Sequence, residues 1–172
     1  MIEIKQDDPS EGVIFRHWQD RCHRRLPQME VTRVRLTEFT DYALRILIFA
    51  ASKDGKNVTI EEAAAVYGIS APHLKKVVRT LTREGFLEAK RGRSGGFRLA
   101  RPSETINLGS VIRATESDFA LVECFRADNK CLITRSCRLP RIFDSAIEAM
   151  LEVFDRYSLS DIVVDGSDFP IP

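Results

Sequence analysis

No apolar stretch in this 172-residue chain approaches the roughly 18 residues that a membrane-spanning helix needs. Its start, Met1-Ile2-Glu3-Ile4-Lys5-Gln6-Asp7-Asp8, has no apolar signal core. An apolar fraction of 44% with 30% charged residues excludes disordered and collagen-like classes. There is no internal repeat, and no nucleophile–base set, Walker loop or dinucleotide fingerprint. The Gly-rich Arg91-Gly92-Arg93-Ser94-Gly95-Gly96 lacks the strand–loop–helix setting that such fingerprints require. These absences exclude a membrane protein and give no support to an enzyme. They leave a cytoplasmic protein of one domain with an appended arm as the expectation.

The net charge of +1 hides an uneven distribution. Residues 1–34 carry six Lys/Arg and six Asp/Glu. Residues 35–101 carry thirteen against seven, and residues 102–172 carry seven against twelve. A basic middle beside an acidic end points to a polyanionic partner for the middle.

Residues 1–34 mix Pro, Gly and charge without periodicity and read as an arm. From Arg35 the pattern changes: Leu36, Phe39, Ala43, Leu47 and Ala50 recur at spacings of three and four, predicting an amphipathic helix capped by Thr37. Thr59 followed three residues later by Glu62 predicts a capping box and a second helix. After the turn Tyr67-Gly68-Ile69-Ser70, a third helix capped by Ser70, with Pro72 in its first turn, should run to about Glu84 and stop at Gly85. Phe86–Lys90 and Phe97–Ala100 read as two strands around the Arg-Gly loop. The fold class expected is mainly α with a small β-wing: a winged helix-turn-helix over 35–101. Residues 102–163 should hold an Asn107–Thr115 helix, an irregular cysteine-bearing stretch and a long helix from about Pro140 to Tyr157. Residues 164–172 read as a flexible tail.

From His73 to Arg101 there are nine Lys/Arg and two acids. Such a run often merely solvates a helix face. Here it coincides with a helix-turn-helix and continues into the wing, which points to double-stranded DNA. Ser70, Ala71, His73 and Lys76, near the start of the recognition helix, are expected at base edges, with Lys75 and Arg79 on phosphates. Arg91 and Arg93 suit a minor groove. His73 could equally cap a turn and leave DNA untouched.

Three of the four cysteines, Cys124, Cys131 and Cys137, fall within fourteen residues, while Cys22 sits in the arm. In a reducing compartment this argues for metal or redox chemistry over disulfides. The Cys-x6-Cys-x5-Cys spacing has no Cys-x2-Cys zinc knuckle and suits an iron–sulfur cluster, 2Fe–2S or 4Fe–4S. A redox dithiol, buried apolar cysteines or a structural zinc site are the competing readings. The histidines, His17, His23 and His73, all lie far upstream, so a fourth ligand would be a carboxylate, water or a group from another subunit.

The segments Arg35–Arg45, Val66–Ser70, Arg91–Leu99 and Tyr157–Val163 together resemble the iron–sulfur winged-helix regulators that include NsrR, IscR and RirA, over about residues 35–163. Leu121–Cys124 and Cys131–Leu139 are most similar to the NsrR-type, nitric-oxide-sensing repressors. IscR-type members carry a histidine where Pro140 stands, and Phe119–Phe125 also resembles RirA, the iron-responsive type. The resemblance implies a homodimer joined through the long helix, a cluster on Cys124, Cys131 and Cys137, and Asp41 of the partner chain as an oxygen ligand, with Glu38 in reserve. It further implies repression of nitric oxide detoxification genes, relieved when nitrosylation of the cluster releases the operator. Family members begin with Met directly before Arg-Leu-Thr. Val34 occupies that place here, so the expectation is that Val34 is the initiator and residues 1–33 are an artefact of an over-extended reading frame.

Overall fold

The computed structural model describes residues 35–169, apart from Asp54, Arg91, Arg93 and Ser94. The expectations for the arm, for Val34 and Cys22, and for Arg91 and Arg93 lie outside the described residues. The unit beginning at Arg35 is mainly helical with one small antiparallel sheet. Helix α1 spans Glu38–Ala51, α2 Ile60–Tyr67 and α3 Ala71–Arg83. Strands β1, Leu87–Lys90, and β2, Gly96–Leu99, follow, then α4, Leu108–Thr115, and α5, Leu139–Asp155.

Local signals set the helix starts. Thr37 accepts from the Thr40 N–H at the start of α1. Thr59 and Glu62 form a reciprocal capping box on α2, with the Thr59 N–H donating to Glu62 at 2.7 Å. Ser70 differs from expectation. It occupies the N-cap position of α3, but its side chain makes no capping bond to the backbone. The hydroxyl pairs instead with His73 Nδ1 at 3.0 Å; Pro72 at N2 has no N–H to offer, and the His73 N–H donates to the Ser70 carbonyl at 3.1 Å. Helix α3 ends one residue early, at Arg83, with Gly85 in the left-handed region at φ +75°.

Leu87 pairs with Leu99 and Lys90 with Gly96, closing the wing hairpin. Val58 exchanges two 2.8 Å backbone hydrogen bonds with Phe97, so the wing is stitched to the segment before α2. A Cβ on Gly96, whose φ is +152°, would come within 2.5 Å of the Val58 carbonyl oxygen.

One core joins α1, α3, the wing and α4: Ile46, Leu47, Phe49, Leu74, Leu81, Phe97 and Ile106 are all almost fully buried. A smaller cluster centres on Ile112, Ile147 and Leu151, with Leu36, Phe119 and Phe125 packed against it. The long helix α5 is thus anchored to α4 through few buried residues. Its C-terminal end is also clamped, with Arg113 reaching Asp155 through two 2.6 Å bonds. That hydrogen-bonded pairing holds the Asp155 carboxyl below the usual carboxylate range. Gly109 makes room for the clamp, because a Cβ there would run into the Asp155 carboxylate.

The tail expected to be loose is docked at Phe169. Its ring packs edge-on against Phe49, with centroids 5.2 Å apart, and against Tyr67 at 6.2 Å. An apolar ring in a polar segment is a strong anchor that periodicity does not register.

Gly96→Ala tests the seam between wing and core. The backbone conformation alone costs a side-chain-bearing residue about 1–3 kcal/mol, and the Val58 clash adds to it. A lower urea midpoint with loss of wing strand pairing is the expected result; an unchanged midpoint would show that the seam carries no strain.

Candidate DNA-binding face and cysteine loop

Helix α3 is sharply two-faced. Leu74, Val77, Val78 and Leu81 are buried, and His73, Lys75, Lys76 and Arg79 are exposed. Spacings of three and four put the apolar residues on one stripe and leave the cations on the other. The first turn contains no acid. Among the described residues Lys75, Lys76 and Arg79 have no carboxylate partner, whereas Arg83 pairs with Glu84 and Arg98 with Glu88. The α3 cations singled out from the sequence are therefore free of carboxylate partners among the described residues.

Ser70 and His73 stand together at the exposed start of α3, and Ala71 between them is half-buried. Lys76 leans over the Phe39 ring of α1, with its ammonium 5.8 Å from the centroid.

The three cysteines lie on the loop between α4 and α5. Cys124 sits half-buried in a 3-10 turn, Glu123–Phe125; Cys131 is exposed and Cys137 half-buried. All three are free of disulfides. The loop is tightly wound around Cys131. Its N–H donates to Asn129 Oδ1 at 2.9 Å and its carbonyl accepts from Thr134 Oγ1 at 2.8 Å. The Leu139 N–H donates to Cys137 Sγ at 3.4 Å. Between the last two cysteines Leu132 is 99% and Ile133 62% exposed.

Three free thiols outside the core are the donor chemistry that an iron–sulfur group requires, so the residues present fit it. The single chain does not gather them: among the described residues no three His, Cys, Asp or Glu side chains are placed to hold one metal ion.

Asp41 lies in the first turn of α1, where its carboxylate is gripped by Arg45, with Nε–Oδ1 at 3.1 Å and Nη2–Oδ2 at 2.8 Å. Both partners are nearly half exposed, and such an i,i+4 pair contributes only about 0.3–0.5 kcal/mol. The carboxylate is thus held in place by a pairing weak enough to exchange. Arg45 is in turn fixed by Tyr67, whose hydroxyl donates to the Arg45 carbonyl at 3.0 Å beneath the guanidinium. Burial pushes the Tyr67 hydroxyl up to about 12, with the Arg45 charge opposing the shift. Sequence patterns do not reveal this support for Asp41, because Tyr67 lies 22 residues from Arg45.

The family model for Rrf2, described as an iron-dependent transcriptional regulator, matches residues 36–165. The chain belongs to the Rrf2 family. As an Rrf2 chain it resembles the HTH-type transcriptional regulator NsrR of Bacillus licheniformis, with 46% identity over 134 residues, 77% of this chain and 94% of that protein. The NsrR of Bacillus subtilis is 45% identical over 137 residues, 78% of this chain and 94% of that protein. Among solved structures, T. potens IscR superposes with a TM-score of 0.55 at 24% identity, covering 75% of this chain and 85% of that one. CymR of Staphylococcus aureus superposes at 0.58 with 22% identity, covering 75% and 99%. At such identities the two structures speak for the winged-helix fold alone. Rrf2 membership makes the chain a transcriptional regulator.

The raised Tyr67 value fixes a pH dependence. Its folded value lies above the ordinary 10, so its contribution to stability is complete below pH 10 and is lost as pH climbs towards 12. Phenolate absorbance should show one tyrosine titrating near 12 in the wild type and absent from Tyr67→Phe. A wild-type protein whose tyrosines all titrate near 10 would refute the burial argument.

Proposed function

We propose that the chain is a homodimeric, DNA-binding repressor that senses nitric oxide through an iron–sulfur cluster and so controls detoxification genes. The reading is carried by one juxtaposition: a basic face on α3 in the same small domain as an exposed loop of three free cysteines. The NsrR relatives, aligned over nearly their whole length, and the motifs around Cys124 and Cys131–Leu139 support the nitric-oxide assignment.

Cys124, Cys131 and Cys137 would hold the cluster, with Asp41 of the partner chain as the fourth, oxygen ligand once Arg45 lets go. A bound cluster supplies thiolate-held iron that reacts with nitric oxide. The remaining work falls to the protein. The cysteine loop must close to gather its thiols, and its closed form sets the spacing of the two recognition helices. That spacing must fit half-sites about 34–36 Å apart on one DNA face. Ser70, Ala71, His73 and Lys76 would approach base edges, Lys75 and Arg79 phosphates, and Arg91 and Arg93 a minor groove. In α5, Ile142, Ala146, Ala149 and Val153 form an exposed stripe at helical spacing, which suits close packing against the same helix of a second copy. A 100-fold loss of operator affinity needs about 2.7 kcal/mol of coupling between loop and DNA.

Iron sensing is the second reading, favoured by the iron-dependent description of the family and by Phe119–Phe125. The test is an anaerobic nitric oxide titration that follows the visible spectrum and operator binding together. Bleaching and release in step support the first reading; a surviving spectrum with release only by an iron chelator supports the second. A protein colourless when prepared anaerobically points to zinc or plain thiols, which elemental analysis separates. Cys131→Ala should abolish both iron uptake and specific DNA binding, and a colourless variant that still represses would sink the mechanism. Arg79→Ala should weaken binding evenly across sequences and lower the salt slope by about 1. An unchanged slope would remove Arg79 from the phosphate contacts.

A further inference from the structure

Three helix starts in this protein use their capping residue in the ordinary way. Thr37, Thr59 and Asn107 each accept the backbone N–H of the residue three positions on, at 3.3, 3.1 and 3.0 Å. Helix α3 breaks the pattern. Ser70 stands exposed at its N-cap, yet the side chain takes no backbone N–H. Pro72 has none to give, and the His73 and Leu74 N–H groups both go to the Ser70 carbonyl, at 3.1 and 3.2 Å. The hydroxyl is left with His73 Nδ1, 3.0 Å away, as its partner among the described residues. A strong capping residue that caps nothing, on the helix that carries the exposed Lys75, Lys76 and Arg79, marks a place where a local rule yields to function.

The chemistry of this pair decides what His73 can read. Ser70, His73, Lys76 and Arg79 follow one another at spacings of three along the exposed side of α3. Lys and Arg only donate hydrogen bonds, whereas a neutral imidazole donates from one ring nitrogen and accepts at the other. Of the three nitrogen-bearing side chains in the row, only His73 can therefore face a base as donor or as acceptor. The hydrogen bond made by Nδ1 settles which. The positive end of α3 lies behind the Ser70 oxygen, so its lone pairs turn towards the helix and its O–H turns outward to Nδ1. Nδ1 then accepts, and the proton resides on Nε2, the ring nitrogen left over for DNA.

We infer that Ser70 is the positioning residue that holds His73 in its Nε2–H form, so that His73 reads guanine by donating to N7. Guanine is the base whose major-groove edge carries acceptors only, N7 and O6. It suits a row in which Lys76, one turn further on, is also a donor. Adenine and cytosine each place an amino group in that groove and would set donor against donor. With the opposite tautomer His73 would accept, and the same helix would read those amino groups instead. This rests on the reading of α3 as the helix that enters the major groove.

The experiment uses the full-length protein, prepared anaerobically, to select duplexes from a random-sequence library. The selected duplex is tested pair by pair with wild type, His73→Ala, Ser70→Ala and Ser70→Thr. NMR of isotope-labelled histidine rings in mildly alkaline buffer, with His73 assigned by its absence from His73→Ala, reports which nitrogen holds the proton. Because Ser70 caps nothing, Ser70→Ala should keep the wild-type unfolding midpoint, which separates its DNA result from a folding defect. In the wild type the His73 proton should lie on Nε2, and one guanine per half-site should lose about tenfold in affinity when replaced by 7-deazaguanine. His73→Ala should shrink that penalty to within about twofold. Ser70→Ala should shrink it to about threefold with both ring tautomers populated, and Ser70→Thr, which keeps the hydroxyl, should restore it. A penalty left intact by Ser70→Ala, or not restored by Ser70→Thr, overturns the positioning role. A proton on Nδ1, a doubly protonated ring, or a penalty for N4-methylcytosine in place of 7-deazaguanine at the pair His73 reads overturns the guanine contact. A wild type that selects no duplex overturns the recognition-helix reading and this inference together.

Discussion

The direction in which α3 faces is the constraint on which the rest of this molecule depends. Leu74, Val77, Val78 and Leu81 are buried on one side, and rotating the helix to hide its cations would expose all four. Complete burial of each such side chain is worth about 1.5–3 kcal/mol, far more than any surface ion pair could return. The apolar stripe therefore decides where the charges go. Lys75, Lys76 and Arg79 stay outward, with no carboxylate partner among the described residues. The wing, stitched to the segment before α2 by Val58 and Phe97, is held beside that face by backbone bonds.

Elements governed by near neighbours in the chain are legible from the residues alone. The 3.6-residue spacing locates α1, α3 and α5, the Thr59–Glu62 pair locates the start of α2, and Gly85 locates the end of α3. What escapes is decided by partners far apart in the chain. Thr37 looks like a self-sufficient cap, yet its amide is completed by Glu116. Tyr67 reads as a turn residue, yet it braces Arg45, and Phe169 reads as loose tail, yet its ring joins Phe49. Ser70 illustrates a different failure: the right residue stands at the right place, but its hydroxyl pairs with His73. The cysteines are legible as three free thiols on one loop, while their positions relative to one another in space are set by the whole loop and are not encoded in their spacing.

The two ends of the domain differ in how firmly they are held. The winged helix shares one large core, while the cysteine loop and α5 rest on the small cluster around Ile112, Ile147 and Leu151. Segments with few buried apolar contacts are the ones that open locally at low free-energy cost. Leu132 and Ile133, exposed between two cysteines, belong to such a segment. So does the outer stripe of α5, whose apolar residues Ile142 and Val153 are exposed among the described residues.

The clamp between α4 and α5 has an evolutionary corollary. Gly109 is small because the Asp155 carboxylate lies over it on the way to Arg113. Positions 109 and 155 are therefore not independent sites of substitution. Across descendants of this chain, a larger residue at 109 should coincide with a shorter or redirected side chain at 155 and with release of Arg113, so that the three positions drift as one unit.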